Sequence, residues 1–307
     1  MKVFVFGLGY SALASVRALR QIAGDDPWLA GTTRSAETRD ALADVGISAH
    51  LFEGREISPE LLSDLNEATH ILLSIPPGED GDPALSLSAG LSRDNGLQWI
   101  GYFSTVGVYG DHGGAWVDEG ASTDPVHPRS QRRLEAEKAW RGEAKRLAVP
   151  LMVLRLAGIY GPGRSALDKL REGKARRIVK PGQVFNRIHV EDIGRITALA
   201  MTRNLAGLFN LADDEPAPPQ DVVTFAAALM HVPLPAKEPF ETADMTPMAR
   251  TFYSSNERIA NAAIKKALGI DLLYPTYRQG LNAIRSGDPG MAAAARQRGA
   301  AGWEATP

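Results

Sequence analysis

The stretch Val3-Phe4-Val5-Phe6-Gly7-Leu8-Gly9-Tyr10-Ser11-Ala12-Leu13 leaves this chain few ways to fold. Four apolar residues predict a short buried strand, two glycines one residue apart predict a tight turn, and Leu13, Val16 and Leu19 recur at helical spacing. Such a turn suits a pyrophosphate, because the amino end of a helix presents unpaired N–H groups and the positive end of its dipole. Gly7 permits the turn, Gly9 lets the backbone come close, and Ala12 is small enough for the helix to pack on the strand. Leu8, Tyr10 and Ser11 complete this candidate dinucleotide loop. The competing reading is a glycine-rich turn with no ligand.

Further strands are predicted over 28–32, 47–52, 69–75, 98–104 and 150–156, with helical segments between them, including a long charged helix over 130–147. Strands alternating with helices at this rhythm predict an α/β fold with a doubly wound parallel sheet. From Arg164 the pattern is less regular: helices over 168–174, 191–201 and 220–230, strands over 184–190 and 208–211, a proline-rich connector over 233–239 and a helix over 254–268. The expected division is a dinucleotide-binding Rossmann domain, 1–163 with 188–212, and a small C-terminal α/β substrate lobe, 164–187 with 213–285. A loose tail, 286–307, follows.

The end of the second strand bears Thr33, Arg34 and Ser35, with no carboxylate before Glu37. In dinucleotide-binding folds an acidic residue here grips the ribose 2′-OH, whereas an arginine accommodates a 2′-phosphate. The sharp reading is therefore NADP in preference to NAD. The bland one is that Ser35 caps the next helix while Arg34 points into water. Ser74, Ile75 and Pro76 end the fourth strand, where a dinucleotide crosses an open sheet.

The chain's 34 basic and 36 acidic residues leave a formal charge of -2, which draws it toward neither nucleic acid nor an anionic membrane. There are no cysteines, and the six histidines lack metal-ligand spacing, so disulfides, thiolate chemistry and a metal site are not expected. No apolar run approaches the roughly 20 residues that span a bilayer. A cytoplasmic protein acting on a small molecule, as monomer or homodimer, is the expectation.

With these residues in hand the chain resembles the extended short-chain dehydrogenase/reductase superfamily, of the NAD-dependent epimerase/dehydratase type. The resemblance covers roughly residues 1–285. It rests on the glycine turn, on Phe103-Ser104-Thr105-Val106-Gly107-Val108-Tyr109-Gly110, on Arg155 through Gly161-Pro162-Gly163, and on Ile188-His189-Val190-Glu191-Asp192. It implies that Thr105 helps hold a substrate oxygen, with Ser104 at the cofactor. The family's Tyr-x-x-x-Lys pair falls on Arg129 and Arg133, so both catalytic positions are changed. An arginine keeps its proton at neutral pH, so Arg129 is no general acid/base, while Arg133 retains a positive charge for the ribose. Tyr109 and Tyr160 are the substitute proton donors to consider. Arg187, Arg164 and Arg129 would suit an anionic substrate. Three functions stay open: an NADP(H)-dependent oxidoreductase or epimerase with an unusual proton donor, a catalytically silent NADP(H) sensor, and a structural protein with an empty vestigial site.

Overall fold

The computed structural model describes residues 1–287 except 93 and 95. The expected tail beyond Gly287 lies outside the described residues. By internal contacts the chain divides into two units. Unit one is Met1–Val108, Pro128–Arg155 and Ile193–Phe209; unit two is Tyr109–His127, Leu156–Asp192 and the chain from Asn210 on.

Unit one is built on a sheet of seven strands: β1 (Lys2–Phe6), β2 (Trp28–Thr33), β3 (Ser48–Leu51), β4 (His70–Leu73), β5 (Trp99–Thr105), β6 (Leu151–Leu156) and β7 (Gly207–Leu211). Their order is β7-β6-β5-β4-β1-β2-β3, and the pairs β1–β2, β1–β4, β2–β3 and β4–β5 are parallel. The winding direction reverses between β1 and β4, so the carboxyl ends of these two strands open the crevice at which such sheets take ligands. Between the strands lie α1 (Tyr10–Ile22), α2 (Ala36–Ala43), α3 (Pro59–Glu67), α4 (Pro83–Ser88), α5 (Pro128–Leu147) and α6 (Val190–Thr202).

The inner strands are mostly apolar because both faces are covered. Phe4, Phe6, Ile71, Leu73, Ile100 and Tyr102 pack with Leu61 and Leu65 of α3 and with Trp140, Ala144 and Leu147 of α5. On the α1 side a Cβ added to Gly194 would stand 2.6 Å from the Ala14 carbonyl oxygen, so α6 lies directly on the α1 backbone.

A charged cluster pins α5 to the sheet. Glu137, fully buried, accepts from Ser104 Oγ at 2.5 Å, from Arg155 Nε and Nη2 at 3.1 and 2.9 Å, and from Arg141 Nη2 at 3.0 Å. Removing one partner of a buried pair strands the other charge. Glu137→Ala is expected to cost about 3–5 kcal/mol in urea unfolding. Glu67→Ala, which breaks the exposed Lys2–Glu67 pair, should cost below about 1 kcal/mol.

In unit two, Tyr160, Leu167, Ala226, Tyr277 and Leu281 form a core among the helices Ala166–Arg171, Pro219–Met230 and Tyr277–Ser286. Three parallel two-stranded ribbons complete it: Gly158–Tyr160 with Arg187–His189, Arg177–Val179 with Lys237–Pro239, and Trp116–Val117 with Arg258–Ile259. The predicted helix over 254–268 is therefore shorter, Ala262–Leu268. Ahead of it the backbone finds other partners: Asn256 N–H donates to Asp111 at 2.9 Å, Ile259 N–H to Asn186 Oδ1 at 2.9 Å, and the Glu257 carbonyl accepts from Asn186 Nδ2 at 2.9 Å. The connector over 233–239 ends in a strand, and the helix Tyr277–Ser286, opened by a Thr276/Gln279 capping box, had no counterpart in the sequence reading.

Candidate functional site

The turn after β1 is held by Thr32 of β2, whose hydroxyl accepts from Gly7 N–H and whose carbonyl accepts from Leu8 N–H, both at 2.8 Å. Gly7 has φ +87°, and a Cβ there would meet Ile75 Cγ2 at 2.6 Å and Ile75 N at 3.3 Å. Glycine is thus required for conformation and for space. Gly9 differs. Its φ of −98° suits any residue, and no atom lies within 4 Å of its Cβ position.

Gly9 is also the N-cap of α1 and makes no side-chain cap, so no capping side chain stands at the amino end of the helix. Leu8, Ser11 and Ala12 are buried, and Tyr10 is half-buried. The Ser11 carbonyl accepts from Ser15 Oγ at 3.1 Å.

At the end of β2, Arg34 is exposed, while Thr33 Oγ1 accepts from Ser35 N–H at 3.3 Å. Ser35 Oγ accepts from Thr38 N–H at 3.2 Å, so this serine caps α2. Glu37, the nearest following carboxylate, is exposed in the first turn of α2.

Beyond β4 the N–H groups of Ser74 and Ile75 converge on the Phe6 carbonyl at 2.9 and 3.1 Å, and Pro76 is exposed. The Ile75 carbonyl accepts from Arg133 Nη1 at 3.2 Å. The same nitrogen reaches the Phe103 carbonyl at 2.8 Å and Tyr102 Oη at 3.3 Å, and the guanidinium stands 5.5 Å from the centre of the Tyr102 ring. Arg133 therefore braces the ends of β4 and β5.

Ser104 faces inward to Glu137, which leaves only its backbone for a ligand. Thr105 is half-buried and its Oγ1 accepts from Gly107 N–H at 3.2 Å. A Cβ on Gly107 would stand 3.5 Å from Thr105 Oγ1 and 2.8 Å from Ser130 Oγ, so a second hydroxyl, absent from the sequence reading, lies beside Thr105. Arg129 is exposed in the first turn of α5.

In unit two both tyrosines are engaged inside the protein, as the structural reading of their motifs has it. Tyr109 is fully buried and its hydroxyl donates to Asn210 Oδ1 at 2.7 Å. Tyr160 lies in the core against Gly280, where an added Cβ would come within 2.1 Å of the hydroxyl. Burial, reinforced by Asp213 and Asp192, raises its pKa, so it holds its proton more tightly than a free tyrosine. Neither hydroxyl is arranged to exchange a proton with a ligand.

Arg187 donates to the Phe185 and Ala217 carbonyls at 2.9 and 3.1 Å and lies 6.0 Å from the Tyr277 ring centre. Burial lowers its pKa while Asp213 opposes that shift. Arg164 is exposed. Among the described residues no group of three His, Cys, Asp or Glu side chains could hold a metal ion, and no helix is long and apolar enough to cross a membrane.

No protein-family model and no curated protein matches the sequence. Among solved structures, a functionally unknown conserved protein from Silicibacter pomeroyi DSS is 44% identical, with a TM-score of 0.82 over 93% of this chain and 98% of that one. The chain belongs to the family of that protein, built on the extended short-chain dehydrogenase/reductase fold. A candidate NAD-dependent epimerase/dehydratase from Methylobacillus flagellatus is 23% identical, with a TM-score of 0.66 over 93% of this chain and 98% of that one. A UDP-glucuronic acid 4-epimerase from Bacillus cereus, in complex with NAD, is 16% identical with a TM-score of 0.72 over 92% and 97%. These two likenesses establish the fold.

Within this extended short-chain dehydrogenase/reductase fold two buried side chains of unit two titrate abnormally. Asp213, an acid that the sequence reading missed, is 1% exposed, and its Oδ2 has no hydrogen-bond partner. Burial pushes its pKa up to about 8. His189 accepts from Glu191 N–H at 3.2 Å, anchoring α6, and burial pushes its pKa down to about 4.

The folded state resists ionising Asp213, so that residue's contribution to stability falls as pH rises from about 3.8 to about 8. It resists protonating His189, so that contribution falls as pH drops from about 6.5 to about 4. Asp213→Asn should therefore flatten the loss of stability between pH 6.5 and 8, read as the pH dependence of Tm. The two glycines of the turn should also part ways. Gly7→Ala should lose about 1–3 kcal/mol in chemical denaturation from its strained φ alone, and Gly9→Ala less than about 1.

Proposed function

We propose that the protein binds NADP(H) on the turn of unit one and works as an oxidoreductase or epimerase/dehydratase-like protein on a small, anionic substrate. The observation that carries this reading is the open space at Gly9 ahead of an α1 with no side-chain cap. A cradle that a side chain would fill fits the two phosphates of a dinucleotide. The fit extends along the sheet. Arg34, exposed at the end of β2 with no carboxylate before Glu37, supports a 2′-phosphate, and the Ser74–Pro76 backbone suits the crossing beyond β4.

The nicotinamide ring would supply or accept the hydride. The chain's own part is to bind and to orient. The first-turn N–H groups of α1 would hold the pyrophosphate, and Thr105 and Ser130 would provide hydroxyls for a substrate oxygen; taken by itself, unit two contributes Arg164, exposed, and Arg187, given to main-chain carbonyls, as the cations that suit an anionic substrate. Arg129 remains cationic at neutral pH, so the proton must come from a group other than the usual tyrosine. The engagement of Tyr109 and Tyr160 inside unit two favours one second reading, a silent NADP(H) sensor. A cytoplasmic location, as monomer or homodimer, belongs to the same proposal.

NADPH is expected to raise Tm more than NADH does. Arg34→Asp should erase or reverse that preference, weakening NADPH by about 1.5–3 kcal/mol, roughly 10-fold to 150-fold. Equal responses to the two cofactors would remove the NADP assignment. A scan of carbonyl compounds and nucleotide sugars should then yield NADPH turnover; binding without turnover would favour the sensor.

A further inference from the structure

Arg133 occupies the position where the resemblance expects a lysine that holds the nicotinamide ribose, yet its contacts run the other way. Its Nη1 lies 3.2 Å from the carbonyl of Ile75, just past β4, and 2.8 Å from that of Phe103, inside β5. Ile75 in turn fills the volume that a side chain on Gly7 would take, its Cγ2 2.6 Å from that Cβ position, and its N–H donates to Phe6 at 3.1 Å. An unbroken path of contacts thus runs from the guanidinium through Ile75 to the first glycine of the turn.

We infer that Arg133 is a positioning residue for the pyrophosphate: it holds Ile75 against Gly7 and so sets the shape of the turn, without itself contacting the dinucleotide. The inference rests on the dinucleotide reading above and assigns the residue a role within it. The chemistry favours arginine. A guanidinium stays charged at any accessible pH, and its flat group can sit against the Tyr102 ring while one nitrogen, Nη1, serves both carbonyls with its two N–H donors; a lysine ammonium ends a flexible stem with no flat face to seat. The Tyr102 ring and hydroxyl complete the guanidinium's seat, at 5.5 Å from the ring centre and 3.3 Å from Oη.

Three ligands separate the possible roles in the full chain: NADPH, adenosine 5′-diphosphate 2′-phosphate, which has the pyrophosphate but no nicotinamide ribose, and 2′-AMP, which has neither. Arg133→Met should weaken the first two alike, by roughly tenfold or more, and leave 2′-AMP within about twofold. Arg133→Lys should recover part of the loss, since an ammonium can still reach one carbonyl. Ile75→Ala should reproduce the Met pattern, and it carries the test if Arg133→Met does not fold.

Loss confined to NADPH would mean a direct contact with the nicotinamide half and overturn the inference. Equal loss of all three ligands, or no loss, would overturn it as well. If the unaltered protein binds none of the three, the dinucleotide reading itself falls, an outcome distinct from wild-type binding that Arg133 does not affect.

Discussion

Ile75 stands where a side chain on Gly7 would have to go, its Cγ2 2.6 Å from that Cβ position, and much of the crevice follows from it. Two consecutive N–H groups beyond β4 share the Phe6 carbonyl, drawing the chain across the end of β1. Thr32 holds the turn from the opposite strand with both its hydroxyl and its carbonyl. Gripped from both sides, the turn leaves open space at Gly9, the residue that begins α1. The opening comes from backbone packing and needs no specialised side chain.

Helix α5 shows how a surface of unfavourable composition is kept on a sheet. It is charged along most of its length, and its inner face pairs the apolar Trp140, Ala144 and Leu147 with a carboxylate at Glu137 that no water reaches. Donors from Ser104 and Arg155 satisfy that carboxylate, while Arg133, one turn earlier, reaches main-chain carbonyls. Such pairs contribute little net stability against a well-packed apolar alternative, but they specify one rotation and one height of the helix. Two of its charged side chains, Glu137 and Arg133, are committed to architecture.

The central sheet was readable from sequence because its strands are continuous apolar runs and its first turn is marked by two glycines. What escaped notice shares one cause, partners distant in sequence. Ile259, Ala260 and Ala263 have helical spacing, yet Asn186 claims the backbone at Glu257 and Ile259, and a side-chain amide from another segment has no signature in a local window. Arg133 looked like a ribose ligand because its acceptors are carbonyls, which every residue possesses. Tyr109 and Tyr160 sit in motifs whose position suggested a cleft, whereas Asn210 and Gly280 enclose their hydroxyls. At Arg34 and Ser35 the two observations, a serine that caps its helix and an exposed arginine, are those of the bland reading.

The contact of Gly194 with the Ala14 carbonyl has a reach that its location disguises. Any larger residue at 194 would meet the α1 backbone at Ala14, in the second turn of the helix, one turn from the amino end that follows Gly9. On the dinucleotide reading proposed above, drift at that one position of α6 would be felt at the glycine turn.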